Sequence, residues 1–480
     1  MSIALDAFPK RRLAGFGRSN WSECRLAAVE NVDGLRQLFA RCRDERVPLA
    51  FRGSGRSYGD AALLSKGLVV DLTGMSQITS WDPTTGIIEA GPGLTIEGLW
   101  RHVLPHGYWP AVVPGTMRPT LGGCLAMNIH GKNNFSAGPI GEHVLDFDLL
   151  SIDGQSLRCS RTEHPELFHA AISGLGLLGA ITRIRLQTKR VDTSVLRVRA
   201  AAASSLPGMF ELFEERLPTA DYLVGWIDCT AGGGGLGRGQ THDAQYVPRE
   251  EDPRGPWTLG TGTHANLPST VFGVPFRWLP TLMRPFANKL GTRLINTAKY
   301  CHARWTASDQ PFFQSHVEFA FLFDHMPNWD LGLAPHGLVQ FQVFAPEAEA
   351  RFVFREVIAR SRAAGLPAYL GVMKRHRSDS FLLTHGVDGY SLALDYRLTR
   401  TNFQGLQRLL RELVDVVLDH GGKFYFAKDS ILTPHDTLRV HGAETLERFF
   451  AHKRRLDPDC LIESELSRRV FDRGTRGVGG

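Results

Sequence analysis

The stretch Ala-Phe-Arg-Gly-Ser-Gly-Arg-Ser-Tyr-Gly-Asp, residues 50–60, follows a short apolar run and crowds three glycines among small polar residues. Glycine adopts positive φ without steric cost and lets the backbone approach a ligand closely. Successive backbone N–H groups in such a turn form a concave anion site, to which Arg52 and Arg56 add positive charge. The stretch therefore predicts a pyrophosphate-binding loop, with a tight turn between two strands as the alternative.

A second glycine-rich segment, residues 114–138, contains Pro-Gly-Thr, Gly-Gly and Asn-Ile-His-Gly-Lys-Asn. Two glycine-rich, basic loops that also bear hydroxyl groups are unusual for pure scaffolding. A third pattern, Gly174-Leu-Gly-Leu-Leu-Gly, has dinucleotide-binding spacing but follows a helical pattern instead of the first strand of a βαβ unit. The sequence therefore favours a ligand held by the first two loops, without a Rossmann site.

Composition and charge narrow the class of protein. The 480 residues are 43% hydrophobic and 22% charged, which is ordinary for a globular protein of two or three domains. The net charge of +6 suits a phosphorylated substrate, a pyrophosphate or acidic lipid headgroups. No Lys/Arg run with interleaved aromatic residues is present, so no nucleic acid partner is expected. Seven scattered cysteines without CxxC spacing predict free thiols and no metal site.

The N-terminus lacks the apolar core of a signal peptide, and no stretch approaches the roughly 18 apolar residues of a membrane-spanning helix. We therefore expect a cytoplasmic protein without a transmembrane helix. Residues 231–305 show little regular pattern, and within them residues 271–294 are apolar with interspersed basic residues. This segment either contacts the inner membrane peripherally, guides a prenyl chain, or packs between domains, and these interpretations stay open.

Hydrophobic periodicity differs between the two halves of the chain. Strand and helix patterns alternate over residues 1–190, whereas residues 191–420 carry long alternating segments typical of an antiparallel sheet. Helices near 347–364 and 402–420 are expected to cover one face of that sheet.

Together with Phe-Ala-Lys-Asp-Ser at residues 426–430, these motifs resemble the FAD-dependent oxidoreductases of the vanillyl-alcohol-oxidase superfamily, which have a PCMH-type FAD-binding domain. The resemblance covers most of the chain and implies an α+β fold of two domains. Residues 421–480 would return to a discontinuous FAD-binding α/β domain, residues 1–190, and residues 191–420 would form the antiparallel-sheet cap that binds substrate.

Within the superfamily, the motifs are similar to enzymes that oxidise the 2-hydroxyl of a polyprenyl-phospho ribofuranose to a 2-keto sugar. The resemblance implies the first half of an epimerisation to arabinofuranose, in D-arabinose biosynthesis for cell-envelope polysaccharide. A separate NAD(P)H-dependent short-chain reductase would complete the epimerisation. Two alternatives stay open: the same fold acting on a free polyol, aldonolactone or hydroxy acid, and a flavin-fold protein used for binding or scaffolding.

The resemblance places FAD against the glycine-rich loops. It implies cofactor contacts from Arg52, Gly53, Ser54, Gly55, Arg56, Ser57, Tyr58, Gly59, Asp60, Gly115, Thr116, Thr120, Gly122, Gly123, His130, Gly131, Lys132, Asn133, Ile181 and Tyr425. Many members bind FAD covalently through a histidine at the position of Arg56. Arginine cannot form that bond, so non-covalent FAD is predicted.

Lys428 and His130 are the predicted catalytic residues. Lys428 follows an apolar-aromatic strand and is expected to point from a sheet into the site. There its ammonium would stabilise developing negative charge or, if burial lowers its pKa, its neutral amine would take the hydroxyl proton. The alternatives are a surface lysine paired with Asp429 and, for His130, a structural residue that fixes the FAD loop.

The predicted substrate-binding residues are Tyr58, Gln340, Gln342, Lys374, Asp395 and Lys428. Period two puts Gln340 and Gln342 on one strand face, where buried amides hold sugar hydroxyls; a solvent-facing strand edge is the alternative. Lys374 would meet the substrate phosphate. Ala393 departs from the cysteine of the similar enzymes, which leaves the identity of the substrate open.

Overall fold

The computed structural model describes residues 5–253, 259–260, 267, 270–271, 274–275, 278, 280, 282, 284–306, 308–325 and 336–472. Part of the apolar segment 271–294 lies outside these residues. The helices are α1 (Val32–Glu45), α2 (Ile96–Val103), α3 (Leu121–Ala126), α4 (Asn134–Ala137), α5 (Pro165–Ala171), α6 (Leu206–Arg216), α7 (Lys289–Thr306), α8 (His316–Ala320), α9 (Glu347–Ala363), α10 (Phe403–Asp419), α11 (Pro434–His441), α12 (Ala443–Leu456) and α13 (Glu465–Val470). The strands are β1 (Lys10–Ala14), β2 (Trp21–Ala28), β3 (Leu49–Arg52), β4 (Leu68–Asp71), β5 (Ile78–Asp82), β6 (Ile87–Ala90), β7 (Tyr108–Trp109), β8 (Val144–Leu150), β9 (Ser156–Ser160), β10 (Ala180–Gln187), β11 (Lys189–Arg190), β12 (Val195–Ala203), β13 (Tyr222–Ile227), β14 (Gly239–Tyr246), β15 (Thr270–Val271), β16 (Val274–Pro275), β17 (Ser308–Ser315), β18 (Leu338–Pro346), β19 (Leu370–His376), β20 (Gly389–Arg397) and β21 (Lys423–Phe424).

The first sheet leads the chain into the loop at residues 50–60. Strands β2, β4 and β3 pair in parallel, and β1 adds to the edge antiparallel to β2. Helix α1 connects β2 to β3; the side chain of Asn31 accepts the Gly34 N–H (2.8 Å) at its start. Because β3 ends at Arg52, the glycine loop begins at the carboxyl end of a buried parallel strand.

The second sheet is antiparallel, in the order β5-β6-β10-β8-β9. On the wetter face of its central strand β10, Arg183 donates to Asp146 and Asp148 (both 2.7 Å). In the described part of residues 1–190, the strands form these two small sheets and the antiparallel pair β7–β11, and the parallel strand pairs all lie in the first sheet.

An eight-stranded antiparallel sheet has the order β17-β12-β14-β13-β19-β20-β18-β21. Helices α6, α9 and α10 pack on one face, and α9 and α10 match the predicted helices near 347–364 and 402–420. A Cβ atom at Gly225 would lie 3.0 Å from Phe213 of α6, so residues of odd register on β13 face the helices. The predicted α+β fold with a large antiparallel sheet is confirmed.

The C-terminal segment contacts both regions. β21 pairs with β18 at the edge of the large sheet, and the Leu49 N–H then donates to the Leu461 carbonyl (2.8 Å) beside the first sheet. Arg469 forms an ion pair with Asp60 (2.8 Å) next to the glycine loop. These contacts are compatible with a tail that returns to the first region, and the domain boundaries themselves stay a prediction.

Residues 231–305, which show little regular pattern in the sequence, contain strands β14, β15 and β16 and most of helix α7. β14 reads Gly-Gln-Thr-His-Asp-Ala-Gln-Tyr and has no apolar alternation; it forms because β12 and β13 supply hydrogen-bonding partners on both sides. No helix in the described part of the chain is long and apolar enough to cross a membrane.

Candidate active site

A cleft with an open volume of about 1370 Å³ lies against the glycine-rich loops. Four segments contribute most of its wall: residues 51–58, 114–123, 175–181 and 425–428. The fold therefore brings the two glycine-rich loops together with the loop before β10 and the turn that follows β21.

The first glycine loop touches the second across the cleft. A Cβ atom at Gly53 would lie 2.1 Å from Oγ1 of Thr120, and Gly55 has a φ of 64°, which favours glycine. The backbone N–H groups of Ser54 and Gly55 have no acceptor among the described residues, and both residues line the cleft. These two amides are free to donate to a ligand in the cleft, which is compatible with the predicted anion-binding loop.

Arg52 and Arg56 have different surroundings. The Arg52 guanidinium donates to the carbonyls of Ala14 and Ala62 (both 3.1 Å), so it holds the loop from behind. The Arg56 guanidinium lies 5.2 Å from the ring of Phe16 on the cleft wall. Arg56 is therefore the better placed of the two to act on a bound anion.

The second loop is tied to the short 3₁₀ turn 322–325. The Thr116 hydroxyl donates to Oδ1 of Asp324 (2.9 Å), and the Met117 N–H donates to its Oδ2 (2.7 Å). Burial raises the pKa of the Asp324 carboxyl. Thr116 still lines the cleft, along with the predicted residues Gly115, Thr120, Gly122 and Gly123.

The third loop carries the glycines of the dinucleotide-like pattern. Gly176 (φ 72°) and Gly179 (φ 146°) line the cleft beside the predicted residue Ile181. The pattern precedes β10 and follows α5, so it is not a Rossmann turn, but its backbone forms part of the same wall. The resemblance implies that this loop lies against the flavin, although the predicted contact residues include only Ile181 from it and neither glycine.

Lys428 lies on a 3₁₀ turn, Phe426–Lys428, and not at the end of a strand as predicted. Strand β21 pairs with β18 only over Lys423 and Phe424, so the chain has already left the sheet when it reaches Lys428. The Lys428 ammonium lies 5.5 Å from the ring of Tyr58, and the Tyr58 N–H donates to the Ala427 carbonyl (2.8 Å), which joins this turn to the first glycine loop. Both Lys428 and Tyr58 line the cleft.

The charge environment of Lys428 favours an active-site role. Burial lowers its pKa to about 8, while the carboxylate of Asp395 opposes that shift. Burial raises the pKa of Asp395 to about 6. Asp429 forms an ion pair with Arg469 (2.8 Å), so the alternative of a surface lysine paired with Asp429 is wrong.

His130 is buried at the base of the cleft. Its Nε2 lies 3.2 Å from Nε2 of Gln342 and its Nδ1 lies 3.5 Å from Nζ of Lys374. Burial, followed by the charge of Lys374, holds the pKa of His130 well below its usual range, so the imidazole is neutral. A neutral imidazole has one acceptor nitrogen, so it can accept from only one of these two donors at a time.

The amides predicted to bind sugar are buried, so a solvent-facing edge is wrong for both. Nε2 of Gln340 donates to Oδ1 of Asp395 (2.6 Å), and Nε2 of Gln342 contacts Oγ of Ser391 (3.2 Å). The Oε1 atoms of Gln340 and Gln342 are buried without a donor among the described residues. The Gln340 amide and the Asp395 carboxylate both act on the pKa of Tyr58, so these side chains stand close behind this part of the cleft wall.

Five predicted cofactor residues are not on the cleft wall: Gly59, Asp60, Gly131, Lys132 and Asn133. Asp60 pairs with Arg469, and a Cβ atom at Gly59 would lie 2.2 Å from the Asp429 carbonyl, so both serve loop packing. After His130 the chain runs beside β13 of the large sheet, where the Leu223 N–H donates to the Lys132 carbonyl (3.0 Å). Direct FAD contact from these five is not supported.

Two further histidines that sequence reasoning missed surround His130. The rings of His376 and His385 lie 4.9 Å and 5.4 Å from its ring. Burial holds the pKa of His376 well below its usual range and lowers that of His385 to about 3. Period two from Lys374 along β19 would have pointed to His376, whereas His385 lies on a loop without a pattern.

These residues fit FAD. The loops supply unpaired amides, an arginine and a close backbone approach on one side, and a buried cationic wall on the other. A family profile described as an FAD binding domain matches residues 25–160. The chain is an FAD-dependent oxidoreductase with a PCMH-type FAD-binding domain.

Among known proteins, the chain is similar to the decaprenylphosphoryl-beta-D-ribose oxidase of Mycolicibacterium smegmatis, with 26% identity over 96% of this chain and 97% of that protein. A Streptomyces coelicolor protein named "Uncharacterized protein in mprA 5'region" is 28% identical over 78% of this chain and all of its own length. Cytokinin dehydrogenase 6 of Oryza sativa is 34% identical, but over only 34% of this chain.

Proposed function

We propose that the chain oxidises the 2-hydroxyl of a polyprenyl-phospho ribofuranose to a 2-keto sugar. The observation that carries the proposal is the nearly full-length similarity to a decaprenylphosphoryl-beta-D-ribose oxidase, which includes the sheet that bears the cationic wall. Lys428, Lys374 and His130 form this wall on the side of the cleft where a substrate would lie.

FAD, when bound, supplies the hydride-accepting chemistry. The chain's own residues position the sugar and manage its hydroxyl proton. Oε1 of Gln340 and Oε1 of Gln342 are buried acceptors for sugar hydroxyls. Lys428 acts in one of two ways: its neutral amine takes the hydroxyl proton, or its ammonium balances developing negative charge. Neutral His130 serves as a fixed hydrogen-bonding partner.

The partners follow from this reaction. A 2-keto sugar becomes the epimeric alcohol only if a second enzyme delivers hydride to the opposite face, so a separate NAD(P)H-dependent reductase is required. Membrane contact has support from helix α7, which contains four Lys/Arg residues and no acidic residue. Its Leu290, Leu294 and Trp305 are 68%, 57% and 90% exposed, as expected for a helix at an acidic lipid surface.

An anaerobic flavin spectrum tests the proposal. The FAD-loaded protein is mixed with a polyprenyl-phospho-ribose analogue, and bleaching of the visible flavin band is the expected result. Bleaching by free polyols but not by the lipid-linked sugar would assign the chain to another substrate class. A protein that cannot be loaded with FAD would leave only a binding or scaffolding role. Acid precipitation of the loaded protein should leave the flavin in solution, because Arg56 cannot bind it covalently.

A further inference from the structure

The face of the large sheet that lies opposite α6, α9 and α10 carries more positive charge than the oxidation of an alcohol requires. On β14, His242 lies opposite Val224 of β13, and two residues along β13 Trp226 lies opposite Val372 of β19. Directly opposed residues share a face, and so do residues two apart. Lys374 is two residues from Val372 and therefore lies on this same face, across β13 from His242.

Two further ammonium groups reach the same place from outside the sheet. Nζ of Lys132 lies 4.3 Å from the ring of Phe319, which packs 5.6 Å from the ring of Tyr222 on β13. Nζ of Lys299, on α7, lies 4.2 Å from the ring of Trp226. Along β13, Tyr222 lies two residues before Val224 and Trp226 lies two residues after it. These three side chains form a short apolar surface, the apolar floor, and the ammonium groups of Lys132 and Lys299 lie at its opposite ends.

The charges that act on this cluster are all positive. Lys132 and Lys299 both lower the pKa of His242, after burial, to about 4. Lys428 and Lys132 likewise lower the pKa of Lys374, after burial. The carboxylate of Asp395 acts on Lys428, and the Lys132 ammonium donates to the carbonyl of Phe319, a neutral acceptor. Like charges held close together repel one another, and an anion that joins them relieves this repulsion.

We propose that Lys132, His242, Lys299 and Lys374 form a phosphate-binding subsite around Val224. The inference deepens the proposed function and rests on it only for the identity of the substrate, since any phosphate ester of suitable length would meet the same groups. Ammonium groups bind phosphate oxygens as point charges, and the apolar floor of Val224 and Trp226 suits the carbon chain next to the phosphate. Lys132, which was predicted to contact FAD, thereby gains a different role.

The test compares Lys299→Gln and His242→Gln with the unaltered FAD-loaded protein. Calorimetry measures the affinity for farnesyl phosphate, with farnesol and inorganic phosphate as separate probes. We expect each variant to bind farnesyl phosphate about tenfold more weakly, because each removes one bond to a charged group. Lys299→Arg should retain the affinity. Lys189→Gln is the matched control, because the Lys189 ammonium also lies over an aromatic ring, 4.5 Å from the centroid of Tyr246, but Lys189 is not part of the proposed subsite.

Inorganic phosphate that competes with farnesyl phosphate, and loses affinity in the same variants, would support a site that recognises the phosphate itself. Equal affinity of all variants for farnesyl phosphate, with FAD content and melting temperature unchanged, would overturn the subsite. Farnesol that binds as tightly as farnesyl phosphate would also overturn it. The calorimetric test does not depend on the proposed function, because phosphate binding can be measured without turnover. If the lipid-linked ribose fails to bleach the flavin, the proposed function is wrong, but the phosphate subsite is still tested by these affinities.

Discussion

The two walls of the cleft are built in different ways. The glycine-loop wall consists of short contiguous segments whose backbone does the binding, as in the turn at Gly53 and Gly55. The opposite wall consists of side chains from distant parts of the chain: His130 and Lys374 are 244 residues apart, and His130 and Gln342 are 212 apart. A backbone site leaves a local pattern in the sequence, whereas a side-chain site depends on how the strands pair.

The walls also differ in charge. The glycine-loop wall has Arg56 close to the cleft, and Arg52 faces backbone carbonyls behind it. The sheet wall concentrates buried amines: burial lowers the pKa of Lys428 to about 8 and holds that of Lys374 well below its usual range. The first wall is therefore suited to hold a cofactor, and the second to change protonation near neutral pH.

The largest expected effect lies on the sheet wall. Lys428→Met should slow anaerobic flavin reduction by about 10²- to 10³-fold, because one preorganised electrostatic or proton-accepting group is removed. Stopped-flow absorbance of the FAD-loaded protein measures it. Lys423→Met is the matched control. Lys423 lies shortly before Lys428 in the chain, and burial lowers the pKa of Lys423 as well, but Lys423 does not line the cleft. An unchanged rate in Lys428→Met would remove this residue from the chemistry.

A smaller effect is expected on the glycine-loop wall. Gly53→Ala would place a Cβ atom 2.1 Å from Thr120 Oγ1, and overpacking of this kind costs about 1–3 kcal/mol. FAD affinity and melting temperature should both fall, as measured by flavin fluorescence during dialysis and by thermal unfolding. In Gly234→Ala, the new Cβ meets no atom within 4 Å, so neither quantity should change. Normal FAD binding by Gly53→Ala would argue against close contact between the two loops.

The smallest effect is a shift in pH dependence. The Asp395 carboxylate raises the pKa of Lys428 against the effect of burial, so Asp395→Asn should lower that pKa from about 8. If neutral Lys428 takes the proton, flavin reduction speeds up as pH rises through this pKa, and the rise moves to lower pH in the variant. If the reaction instead needs the charged ammonium of Lys428, the rate of flavin reduction falls as pH rises through this pKa, and that fall moves to lower pH in the variant. If the pH dependence of flavin reduction is the same in Asp395→Asn and the unaltered protein, Asp395 does not set the pKa of Lys428.

Much of the fold could be predicted from the sequence, but the site only in part. The helices near 347–364 and 402–420 showed clear helical periodicity, and both formed. Strand β14 carried no such pattern, since its polar residues are held by neighbours on both sides. Lys428 was identified as a site residue, but its placement on a 3₁₀ turn depends on where β21 stops pairing.

The sequence by itself determined the glycine loops, because positive φ and close backbone approach require glycine at particular local positions. Through the resemblance, it also predicts that Arg56 occupies the position of the histidine that binds FAD covalently in many members. Only the tertiary structure decided that the Lys132 backbone lies beside β13 and that His376 packs against His130. Strand register is set by pairing over the whole sheet, so no local stretch specifies which side chains meet across it.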